Sequence, residues 1–231
     1  MVDLVESLTK LQKDSELYQD LFHESEEPLR VEVNLTDTGQ SATLVLNETG
    51  GVAKIEDGAS SASLKITLNS ETLQRIMEDE ADAFALAGRS RMDEDRPINF
   101  EFLDKGRAKE SMEAIKSLAT FFFLPGRIKT KKLTVERAGE AHGARPIPIV
   151  YWHGLRLAWY RIPTDSILNE AGEQDPWPQA FIVLEGTGLV QIADEEDQIA
   201  KNTVYYIPKN VVHQVHATSN IDLIWIAWDA E

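Results

Sequence analysis

The stretch Gln179-Ala180-Phe181-Ile182-Val183-Leu184-Glu185-Gly186-Thr187-Gly188, and beyond an acidic turn Asn202-Thr203-Val204-Tyr205-Tyr206-Ile207-Pro208-Lys209-Asn210-Val211-Val212-His213, decides the fold of the second half of this chain. Each is a short apolar run closed by turn residues, and the same grammar extends outward in both directions. Runs near 149–152, 155–162, 180–184, 189–192, 203–207, 211–215 and 223–228 carry no helical period, and turns separate them. Short strands at such spacing predict an all-β sandwich or barrel. Alternation along a strand puts Gln179, Phe181 and Val183 on one face, with His213 and Val215 on the inward face of their own strand. An apolar wall with polar tips is the lining expected of a small-molecule cavity. His216, three residues from His213, falls on the opposite face.

The first of these stretches resembles the end of the first cupin motif, G-x5-H-x-H-x3-4-E-x6-G, and the second resembles G-x5-P-x-G-x2-H-x3-N. The resemblance implies a jelly-roll barrel and, in the family, two histidines and a glutamate that join a second-motif histidine around a divalent metal. Here the glutamate position is Gln179, the H-x-H pair falls on Glu173 and Asp175, and only His213 is retained. Asn202 and Asn210 stand where the second motif has glycine, and Ala217 where it ends in Asn. The resemblance thus leaves two readings open. In one, His213, Glu173 and Asp175 hold one divalent ion such as Zn, Fe, Mn or Ni in an oxygenase, isomerase or lyase. In the other, the ligand set has been replaced, Glu173 and Asp175 lie in the loop 169–178, and the barrel binds a small, partly apolar organic molecule. His142 and His153 are further histidines that either reach the mouth of the barrel or are structural.

The first half reads differently. Leu4, Leu8, Leu11, Leu17 and Leu21 recur at helical spacing, with a break near Asp14-Ser15. Leu29, Val31, Val33 and Leu35 then alternate with polar residues, and turns at 37–39, 49–51 and 57–58 separate strands near 42–47, 51–56 and 62–68, read as an antiparallel meander. Helices are predicted after Asn69, over 80–87 and over 107–124, with a strand at 98–102. The sum is an α+β domain, an antiparallel sheet with helices on one face. Ala62 to Leu73, followed by Asp82-Ala83-Phe84-Ala85-Leu86-Ala87-Gly88-Arg89, is similar to SCP2-type sterol-carrier domains. That resemblance implies an apolar tunnel for a lipid-like ligand, with Phe84 and Phe100 among its lining. The charged segment 89–96 departs from the family pattern. The domain limits expected are 1–125, a basic linker 126–135 and 136–231.

Composition narrows the rest. A net charge of −16 sets the surface against nucleic acid, and the basic island Arg127 to Lys132 reads as a solvated linker or an anion contact. No apolar run approaches the roughly 18 residues of a membrane span. The acidic start Met1-Val2-Asp3-Leu4-Val5-Glu6 lacks signal-peptide features, and with no cysteine in the sequence it points to a cytoplasmic protein. Thiolate zinc sites, disulfides and cysteine nucleophiles are excluded. Phosphate-cradle and nucleophile-elbow motifs are absent. The turn Asp194-Glu195-Glu196-Asp197 reads as a solvated hairpin tip. The partners expected are a small-molecule or lipid-like ligand and a second copy in a homodimer.

Overall fold

A computed structural model describes residues 2–25, 27–48, 50–89 and 94–229. The chain separates into two compact units, residues 1–87 with 93–132, and residues 88–92 with 133–231.

In the first unit, helix α1 (Leu4–Asp14) is capped by the Asp3 carboxylate, which accepts from Glu6 N, and it buries Leu4, Leu8 and Leu11. The expected break follows at Ser15, where a 3-10 turn spans Glu16–Leu21 and leaves Leu17 exposed. Strands β1 (Leu29–Leu35), β2 (Ser41–Leu46), β3 (Val52–Asp57), β4 (Leu64–Leu68) and β5 (Asn99–Phe102) form one sheet in the order β3-β2-β1-β4-β5. This sheet corrects the antiparallel meander: β1 and β4 run parallel, Val31 opposite Leu64 and Leu35 opposite Leu68. Residues 58–63 carry the chain from β3 back to β4. Thr43 Oγ1 donates to Gly58 O and Ser63 N to Arg30 O, each at 2.9 Å. Parallel neighbours need a crossover of a dozen residues or more, and here it is residues 36–63, which hold the β2–β3 hairpin; its short final link, 58–63, reads in sequence as one more turn.

Helix α2 (Ser70–Met77) is capped by Asn69 Oδ1, which accepts from Thr72 N at 2.8 Å. Helices α3 (Ala83–Ala87) and α4 (Ala108–Ser117) follow, and α4 runs on through a wider π turn at Leu118–Phe122. Their apolar faces join the sheet in one core with Val31, Val33, Leu44, Leu73, Leu118 and Phe122. Of the charged segment 89–96, residues 90–93 lie outside the described residues.

The second unit is built almost entirely of strands: β6 (Arg145–Trp152), β7 (Leu155–Ile162), β8 (Ile167–Leu168), β9 (Gln179–Glu185), β10 (Gly188–Ile192), β11 (Glu195–Ile199), β12 (Val204–Ile207), β13 (His213–Ala217) and β14 (Ile221–Trp228). They form two sheets, β11-β10-β13-β8 and β12-β9-β14-β7-β6, whose inner residues share one core. Of the acidic turn, Asp194 lies in the β10–β11 hairpin turn, while Glu195, Glu196 and Asp197 open an exposed strand, β11, which pairs antiparallel with β10 at the sheet edge. Arg161 and Asp222, opposite each other on β7 and β14, form a two-pronged ion pair. Gly186 has φ +99°, and a Cβ there would lie 2.3 Å from Asn220 O, so the β9–β10 turn admits only glycine.

Candidate functional site

Where the two sheets meet, they leave a cavity of about 290 Å³. Its inner wall comes from Gln179 and Phe181 on β9, His213 on β13, Trp225 on β14, Tyr160 on β7, Tyr151 on β6 and Leu168 on β8. Gln179 is only 4% exposed, and its Oε1 accepts from Trp225 Nε1 at 2.7 Å. An indole N–H can only donate; the contact therefore fixes which way the amide points and leaves its NH2 on the other side. His213, 2% exposed, places Nδ1 2.9 Å from Val211 O. A carbonyl can only accept, so Nδ1 carries a proton, and Nε2 is the atom that holds the lone pair whenever the ring is neutral. The rings of Phe181 and His213 lie 5.7 Å apart. Burial pushes the Tyr151 phenol up to about 12, and that of Tyr160 further in the same direction. Both are protonated at neutral pH.

The rim is the loop that the sequence places at 169–178. Glu173 Oε1 meets His142 Nδ1 at 2.6 Å, and its other oxygen accepts from Glu170 N at 3.0 Å. The His142 hydrogen bond, opposed by burial, holds the Glu173 carboxyl below its ordinary value. His142 sits at φ +54°, just before Gly143, in a turn so close to Ile167 that a Cβ on Gly143 would meet the Ile167 carbonyl oxygen at 2.2 Å. Asn169 N donates to His142 O at 2.9 Å, and Asn169 Nδ2 reaches His213 O at 3.3 Å. Asp175 accepts from Trp177 N at 2.8 Å while its own carbonyl accepts from Asn210 N. Arg156 stacks on Trp177, 4.2 Å from the ring centroid, and stands 3.9 Å from Asp175. Gln174 and Arg89 complete the lining.

Of the residues that the sequence nominates, Gln179, Phe181, His213, Glu173 and Asp175 all reach this cavity. Val183 and Val215 do not line it. They face inward as alternation requires, but one pleat further along, where Val183 is opposite Leu223 and Val215 opposite Val190 in closed core. His216 lies on the other face of β13, and His153 sits in the β6–β7 turn. In the first unit, Phe100 borders an apolar void of about 20 Å³, space for a water and not for a lipid chain. Phe84 is instead packed with Lys131 Nζ 5.9 Å above its ring.

The metal set His213, Glu173 and Asp175 is not assembled. Among the described residues no three His, Asp or Glu side chains are placed to hold an ion. Glu173 is held by His142, Asp175 turns one oxygen to its own loop, and the amide oxygen of Gln179 is taken by Trp225. A divalent ion prefers several free imidazole or carboxylate donors; these residues do not fit one.

The order of strands, two facing sheets and a cavity between them is that of a jelly roll, and residues 170–229 match the family model of the cupin domain. The second unit has a cupin-like fold. Solved structures are similar to it, with low identity. The plu4264 protein of Photorhabdus luminescens is 18% identical over 44% of this chain and 88% of its own, with a TM-score of 0.40. A cupin 2 conserved barrel domain protein of Salinispora arenicola is 16% identical over 45% and 90%, with a TM-score of 0.40. A salicylate 1,2-dioxygenase of Pseudaminobacter salicylatoxidans is 21% identical over 39% and 27%, with a TM-score of 0.34. No curated protein matches the chain. No helix among the described residues is long and apolar enough to cross a membrane.

Proposed function

We propose that the cupin-like barrel binds a small organic molecule between its two sheets and that the first unit, an SCP2-like α+β domain, serves it as an accessory module. The observation that carries this reading is the lining itself: buried polar groups, Gln179 and His213, stand among aromatic walls in a cavity of about 290 Å³, close to the size range of small-ligand sites. Buried polar groups ordinarily find partners, and a ligand would supply them here. The small void beside Phe100 favours the barrel over the first unit as the place of binding. The test is native mass spectrometry of the purified full chain, with solvent extraction and thermal shift across a panel of small metabolites. A molecule released on denaturation, or a ligand that raises the melting temperature, is the expected result. Protein that is empty in repeated preparations and shifted by nothing in the panel would remove the reading.

A further inference from the structure

Three residues of the cavity wall are more than nine-tenths buried and carry a polar atom with no hydrogen-bond partner among the described residues: the NH2 of Gln179, Nε2 of His213 and the hydroxyl of Tyr160. None of these atoms is sealed into the core, so each opens on the cavity whose wall its residue forms. Their chemistry is fixed by what surrounds them. The Trp225 indole turns the Gln179 amide so that it offers N–H donors, and the Val211 carbonyl holds a His213 proton on Nδ1, so that in the neutral tautomer Nε2 is the acceptor. Tyr160 keeps its proton and can donate. Phe181 joins the first two, two residues from Gln179 on the same face of β9 and 5.7 Å from the His213 ring; one small molecule can therefore span them.

The formal charges of the lining cancel, two guanidinium groups, Arg89 and Arg156, against two carboxylates, Glu173 and Asp175. A chain of net charge −16 does not gather anions from solution. Building on the small-molecule reading, we propose that the barrel selects an uncharged planar molecule that presents a carbonyl-type oxygen beside an N–H or O–H, as a lactam or an enol does. The oxygen accepts from Gln179 and Tyr160, the neighbouring N–H or O–H donates to His213 Nε2, and Trp225 and Phe181 cover the ring faces. Each buried group left without a partner is penalised; a ligand with the reverse or incomplete pattern is rejected.

The experiment titrates the full chain with 2-pyridone, benzoate and toluene, three probes of similar size that present acceptor with donor, an anion, and neither. Calorimetry and ligand-observed NMR should show 2-pyridone binding most tightly. Gln179→Glu keeps an oxygen for the Trp225 indole but removes the donor, and Tyr160→Phe removes only a hydroxyl. Each should weaken 2-pyridone about tenfold, the scale of one lost buried hydrogen bond. Tyr160→Phe keeps the ring that fills the core, which preserves the test if the buried carboxylate of Gln179→Glu disturbs folding. Benzoate or toluene binding as well as 2-pyridone, or Tyr160→Phe without effect, overturns the ligand class and leaves the small-molecule reading standing. Where no probe binds but denaturation releases a molecule, an uncharged lactam or enol sustains the proposal and any other class overturns it. No binding and nothing released defeats both.

Discussion

Glu173 links the rim of the cavity to pH. Its carboxyl has an ordinary value of 4.5, lowered in the folded chain chiefly by the His142 hydrogen bond and then by that from the Glu170 backbone N–H, against burial. Ionised Glu173 therefore contributes stability that is complete above about 4.5 and is lost as pH falls through the lower folded value. In His142→Ala that contribution shrinks, and the acid side of a stability curve, taken by urea unfolding with tryptophan fluorescence, should flatten while stability near neutrality falls only slightly. An acid limb identical to wild type would show that the pair is too solvated to matter. The same residues mark how far the sequence could be read. His213 and Gln179 were legible because motif spacing and strand alternation fix them. His142 was not, for it lies far upstream in a left-handed turn and meets Glu173 only through the fold. Tyr151 stayed hidden for another reason: β6 carries one extra residue between Pro148 and Val150, and a one-residue slip exchanges the faces of a strand.

At the level of elements, apolar alternation recovered the main strands because burial and periodicity agree there. It missed β8, which is two residues long, and β11, whose Glu195, Glu196 and Asp197 are exposed. An edge strand of carboxylates resembles a loop in sequence, and in the fold it discourages pairing with another chain. The parallel β1–β4 pair was missed because the last link of its crossover, residues 58–63 between β3 and β4, is short enough to read as one more hairpin turn. The β9–β10 turn gives a sharper test. Gly186→Ala combines an unfavourable positive φ with a clash against the Asn220 carbonyl and should destabilise the second unit by about 1–3 kcal/mol. Urea denaturation measures it, and a change within error would mean that the turn relaxes freely. In the first unit, Asn69→Ala removes the α2 cap and should cost about 1 kcal/mol, read as a lower midpoint in far-ultraviolet circular dichroism.

The molecule as a whole is two cores of different class, and every tryptophan, residues 152 to 228, falls in the second unit. Fluorescence thus reports the barrel alone, while circular dichroism sees both units. Chemical unfolding should give one fluorescence transition and a second, separate change in circular dichroism, with Gly186→Ala moving only the first. Coincident transitions that move together would show that the two cores unfold as one. Strand β14 adds a matter of timing. It is the innermost partner of its sheet, paired with β7 on one side and β9 on the other, yet of the barrel's strands it comes last in the sequence. While a ribosome is still adding residues 221–228, β7 and β9 have no strand between them and keep two raw edges open to any passing chain. The barrel therefore cannot close until β14 has emerged, and the half-made domain is the stage at which the nascent protein most needs a chaperone.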